Sequence, residues 1–146
     1  GPDAGVRQWQ TARWAGSEWI FRNAFTSDHN YDHGSLYIEP DGAWRVIAPT
    51  EPGPQADSTG GQITVHLSHD QGQTWQKVET FPLPNNRNQT YVRRPRNASD
   101  RFYGFWADGD ALQPSESSLY FCTKSGRIFR LPEKMEGQTA HPQLVK

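Results

Sequence analysis

The sequence predicts an all-β chain of short antiparallel strands grouped in repeated sheets. Three observations carry this. Apolar and polar residues alternate with period two in many short segments, and no stretch keeps a helical period for three turns. The 146 residues hold few aliphatics but 6 Trp, 7 Phe and 5 Tyr, beside 13 Gly and 11 Pro, a mixture that suits short strands and tight turns. An aromatic residue follows a short turn and opens a strand at Trp19, Trp75 and Phe129, spaced 56 and 54 residues apart.

Taken in order, strands are expected near 6–14, 18–26, 34–39, 43–49, 61–68, 74–81, 90–94, 101–107, 117–123 and 127–131. The segments between them are turn-forming: AGS, PDG, EPGPQADSTGG, HDQGQ, PLPNNRNQ, DGDALQPSE and KSG. Residues 134–146 are polar and expected to be irregular. Four short strands in a unit of roughly 55 residues are the blade of a β-propeller. The chain then divides into the second half of a blade (1–27), a complete blade (28–83), a second complete blade (84–133) and a tail (134–146). That makes a fragment of about two and a half four-stranded antiparallel blades, too few to close a ring. It leaves sheet faces and an edge unpaired, so self-association or a companion chain completing the propeller is expected.

Bulk chemistry excludes little else. With 15 basic and 16 acidic residues the net charge is −1, and nothing draws the chain to nucleic acid or to an anionic membrane surface. No apolar run reaches the roughly 18 residues of a membrane helix. No signal peptide is visible, and the Gly1-Pro2 start reads as a processed end. Cys122 is the sole cysteine, so no internal disulfide forms. Two glycosylation triplets occur, at Asn88 and Asn97.

The most specific motif is Ser68-His69-Asp70-Gln71-Gly72-Gln73-Thr74-Trp75, which fits S-x-D-x-G-x-T-W. Its chemistry suits a hairpin. Asp70 can accept backbone N–H bonds inside the turn, Gly72 can take positive φ, Thr74 can tie the turn to the next strand, and Trp75 can bury its ring between sheets. This is an Asp box, an architectural device rather than a catalytic one. AGSEW and KSGRIF keep the turn without the full signature.

On this box, and on the runs HNYDHGSLYIEPDGAWRVIAPTEPGPQ, TYVRRPRNASDRFYGFWADGD and PSESSLYF, residues 28–132 resemble the BNR/Asp-box (sialidase-like) propeller family. The likeness is to bacterial BNR-repeat proteins of polysaccharide degradation, including propeller-fold polysaccharide lyases. The resemblance implies a parent of six or seven blades, an acidic polysaccharide or oligosaccharide as ligand, and a secreted or periplasmic setting.

In such a fold the loops 26–34, 49–61, 81–91 and 107–118 share one face, and the Asp box lies on the other. The candidate site on that face comprises His29, Tyr31, His33 and Tyr91 as proton-transfer groups, with Arg93, Arg94, Glu51, Asp108, Asp110 and Glu116 as substrate contacts. A lyase would eliminate across a uronate. Arg93 or Arg94 would pair with its carboxylate, His29 or His33 would take the C5 proton, and Tyr31 or Tyr91 would protonate the leaving oxygen. A tyrosine base would need its pKa of about 10 lowered by about 3 units, which favours His as base and Tyr as acid.

The alternatives are a glycoside hydrolase using paired carboxylates from Asp108, Asp110 and Glu116, and a non-catalytic glycan-binding or assembling unit. A true sialidase lacks support, because no third arginine joins Arg93 and Arg94. Arg93 and Arg94 could instead pair with Asp108 or Asp110, and only one of two successive side chains can face the channel. No metal is assigned. His29, Asp32 and His33 match no zinc spacing. Asp108-Gly109-Asp110 leaves calcium as the one cofactor option, without EF-hand spacing.

Overall fold

A computed structural model describes residues 6–27, 33–56, 59–110, 112–113, 116–134 and 136–146. Among these the regular structure is antiparallel β, with a single turn of 3-10 helix at Pro84–Asn86 and no α-helix. Eleven strands run in chain order: β1 Arg7–Trp14, β2 Trp19–Ser27, β3 Ser35–Ile38, β4 Trp44–Glu51, β5 Gln62–Ser68, β6 Gln76–Thr80, β7 Asn88–Gln89, β8 Gly104–Gly109, β9 Leu119–Cys122, β10 Ile128–Arg130 and β11 Gln143–Leu144. They form three sheets, ordered β1-β2, β3-β4-β5-β6 and β7-β8-β9-β10-β11.

Two elements differ from the sequence expectation. The inner strand expected at 90–94 is broken. Its ladder is confined to Asn88–Gln89, opposite Gly109 and Asp108, and to one bridge between Arg93 and Phe105. Pro95 follows at once and has no N–H to extend the pairing. The tail expected to be irregular contributes β11, which covers the outer edge of β10 through Phe129↔Leu144 and Arg130↔Gln143.

The core lies between the second and third sheets. Tyr37, Ile47, Ile63, Val65 and Phe81 meet Val92, Tyr103, Trp106, Tyr120, Cys122 and Ile128. Alternation along β8 buries Gly104, Trp106 and Asp108 and turns Phe105 outward. Tyr37 stacks on Tyr103 at 4.2 Å, and Phe81 packs on Trp106 at 5.6 Å. The hairpin β1-β2 packs on the second sheet through Phe25, stacked on His66 at 3.9 Å and edge-on to Trp75 at 5.6 Å.

The Asp-box turn is built as its residue types require. Asp70 Oδ1 accepts from the Thr74 N–H and the Ser68 hydroxyl, both at 2.8 Å, and Oδ2 accepts from the Thr74 hydroxyl at 2.6 Å. Ser68 Oγ in turn accepts the Gly72 N–H at 2.8 Å. Gly72 sits at φ +81, and a Cβ there would come within 2.9 Å of the Trp44 ring.

Two outer faces stay apolar and open. On β1-β2, Trp14, Trp19 and Phe21 are exposed, Phe21 by 68%. On the third sheet the outward row runs Phe105↔Phe121↔Phe129↔Leu144 across four strands, with exposed Phe102 and Leu119 beside it. That is a continuous apolar sheet face rather than scattered surface residues.

Candidate functional site

Contacts between the sheets show which loops share an end. The Asn88 amide braces the β4–β5 link: its Oδ1 accepts the Gln55 N–H at 3.0 Å, and its Nδ2 donates to the Gln55 carbonyl at 2.9 Å. Gly61 and Gln89 exchange backbone bonds at 3.0 and 2.7 Å. Arg87 then reaches Gln113 Oε1 at 3.1 Å and Glu116 Oε2 at 3.0 Å. The links β4–β5, β6–β7 and β8–β9 therefore lie together. At the opposite end, Glu39 beyond β3 accepts from Arg45 Nε at 2.9 Å, Lys124 Nζ at 2.7 Å and the Tyr103 hydroxyl. Burial by itself would raise the Glu39 pKa, but these three donors outweigh it and hold the carboxyl below its ordinary value.

Part-way along the strands, where Arg93 bridges Phe105 near the start of β8, three predicted site residues meet. His33 packs edge-on to Tyr91, with ring centroids 5.0 Å apart. The Arg93 guanidinium lies over the other side chain of this pair, 5.7 Å from the Tyr91 ring centre. His33 and Arg93 are exposed and Tyr91 is half-buried, so all three can meet a ligand. The backbone beneath them is fixed. Ser35 Oγ donates to the Val92 carbonyl at 3.0 Å, and Arg93 exchanges two backbone bonds with Phe105. Gly34 lets the residues before β3 pass close to β4: a Cβ there would stand 2.4 Å from Ala48 Cβ.

The remaining predicted residues sit elsewhere. Arg94 points away from Arg93 and lies over Tyr37 at 5.1 Å. Neither arginine is set against Asp108 or Asp110. Glu51 is ion-paired with Lys77 at 2.6 Å on the outer strand β6. Asp108 is 2% exposed, and its carboxylate accepts from the Ser118 N–H and the Tyr120 hydroxyl, both at 2.8 Å. It braces the β8–β9 link and presents no oxygen to a ligand. Asp110 Oδ1 accepts the Leu112 N–H at 2.9 Å, as in an Asx turn. Glu116 is a rim carboxylate paired with Arg87. His29, Tyr31 and Asp32 lie outside the described residues.

Among the described residues no three His, Cys, Asp or Glu side chains converge as a metal site would require. Among the described residues no helix is long and apolar enough to cross a membrane. Burial pushes the Cys122 thiol up to about 12, which keeps it unreactive. Asn88 has no exposed surface, so the first glycosylation triplet is closed to modification in the folded chain.

The residues that sequence reasoning passed over are Arg87, Asn88, Gln89 and Arg130. Gln89 Oε1 accepts the Trp106 indole N–H at 2.6 Å, and Arg130 Nη2 donates to Gln143 Oε1 at 2.7 Å. Asn-Asn-Arg-Asn-Gln reads as a polar loop, and no local signal marks Asn88 as a buried brace, because its partner Gln55 lies 33 residues away. No family model, curated protein or solved structure matches the chain.

Proposed function

We propose that the chain is a segment of an Asp-box propeller that acts on uronate-containing polysaccharide by β-elimination. The observation that carries this reading is the meeting of His33, Tyr91 and Arg93. Arg93 pairs with the uronate carboxylate, which acidifies the neighbouring C–H bond. His33 removes the C5 proton, and the electron pair becomes the C4–C5 double bond. The C4–O bond breaks, and Tyr91 protonates the leaving oxygen. Proton exchange with water then returns His33 and Tyr91 to their starting states.

A hydrolase is favoured less by the same geometry. Asp108 is enclosed by its own hydrogen bonds, so the β8–β9 link offers no matched pair of free carboxylates. The two apolar outer faces support the propeller reading, as joints for further sheets of the same repeat.

The test is product chemistry on a panel of uronate polysaccharides. Elimination gives a conjugated uronate that absorbs in the ultraviolet. New reducing ends without that absorbance would instead mark a hydrolase, and glycan binding without either product a binding module.

A further inference from the structure

A second cluster lies where the β6–β7 and β8–β9 links meet, outside the His33–Tyr91–Arg93 group. Arg87 and Arg130 enter a cavity of about 540 Å³, whose wall also carries Asn85, Ser118, Glu116 and Glu133. The volume falls in the usual range for small-molecule sites. Arg87 arrives on the link after the 3-10 turn, and Arg130 on β10. Asn85, at φ +58, spans the two walls: its Oδ1 accepts from Arg130 Nη1 at 3.3 Å, and its Nδ2 donates to the Tyr120 hydroxyl at 3.3 Å.

The charges are layered by depth. The Arg87 side chain is only 11% exposed, whereas the Glu116 side chain paired with it is 69% exposed. Glu133 is also at the surface. Both bonds made by the Arg87 head, to Gln113 and to Glu116, leave from the same nitrogen, Nη2. Nη1 is buried and has no hydrogen-bond partner. A buried donor left unpaired is costly, while an exposed carboxylate partner contributes little. A bidentate oxyanion uses two guanidinium nitrogens where Glu116 uses one.

We propose that this cavity is an oxyanion site for a small carboxylate- or sulfate-bearing ligand, and that Glu116 is its in-chain competitor. The incoming group displaces the Glu116 carboxylate from Arg87, engages both of its terminal nitrogens and is joined by Arg130. The exposed Glu116 swings into solvent. Nothing in this assignment depends on elimination at His33.

The experiment is calorimetric titration of the chain at low ionic strength, with glucuronate and inorganic sulfate as separate probes. R87Q, R130Q and E116Q are compared with wild type after circular dichroism shows that each is folded. Binding of glucuronate is expected to weaken about tenfold in R130Q and at least as much in R87Q, and to tighten several-fold in E116Q. Added sodium chloride should weaken it in all four proteins. E116Q alters only an exposed side chain, so it tests the proposal even if R87Q fails to fold. Binding of sulfate but not glucuronate would confine the site to free inorganic anions and overturn the ligand assignment. Equal affinities in wild type, R130Q and E116Q would overturn the site. H33Q should bind glucuronate here unchanged, so inactivity in elimination and failure of this site are separately visible.

Discussion

Ser68 and Asp70 show how two side chains can determine a turn. The Ser68 hydroxyl donates to Asp70 and accepts from Gly72, and it is buried. Ser68→Ala should therefore destabilise the chain by about 1–2 kcal/mol in denaturant unfolding, leaving the Gly72 N–H unpaired. Hydrogen bonds from the Thr74 hydroxyl and N–H, then from Ser68, pull the Asp70 carboxyl down to about 2. Its contribution is complete above its ordinary value near 3.8 and disappears as pH falls toward 2. His66 works in the same direction at higher pH. Burial under Phe25, reinforced by Lys77, holds its imidazole down to about 4. The folded state keeps the ring neutral, while the unfolded chain protonates near 6.5. Stability should be full above pH 6.5 and fall on acidification toward 4. Melting temperatures of wild type and His66→Phe across that window check this. The variant should give the flatter profile, and parallel profiles would show that His66 is not the titrating group.

At the scale of elements, the strands were legible because alternation survives wherever one sheet face is buried. β1 alternates half-buried and exposed residues along its whole length, and β8 does so around Trp106. The Asp box was legible because each of its residue types has a local hydrogen-bonding reason. What the sequence concealed depends on contacts distant along the chain. Asn88 is 33 residues from Gln55, yet it supplies both the donor and the acceptor that secure the β4–β5 link. Asn88→Ala should cost about 2–3 kcal/mol, since it strands buried backbone groups of that link. Faster proteolysis within residues 52–61 than in wild type is the accompanying signature; cleavage elsewhere would place the brace in a different element. Asp108 was equally opaque. The sequence shows an acidic loop, and only the fold turns its carboxylate inward to Ser118 and Tyr120. His33, Tyr91 and Arg93 were named from the sequence, but their contact arises across the Ser35–Val92 bond between residues 57 apart.

At the scale of the whole molecule, the chain has one well-enclosed interface and two open ones. Tyr37, Phe81, Tyr103 and Trp106 fill the space between the second and third sheets. Phe105, Phe121 and Phe129 stand in a similar row on the far face, flanked by Phe102 and Arg127 but with no further sheet over them among the described residues. Such a face drives association in water. Light scattering should give a mass above the 16.6 kDa of one chain, and Phe121→Lys should lower it. A monomer in wild type would mean that the far face is tolerated bare.

The functional account rests on His33 as the base, and the elimination rate of His33→Gln on a uronate polysaccharide tests it most directly. General-base catalysis is worth about 10²–10⁴-fold. Ultraviolet-absorbing product should therefore form at least about 100-fold more slowly than in wild type, with binding of the polysaccharide retained. A variant that eliminates at the wild-type rate would contradict the account.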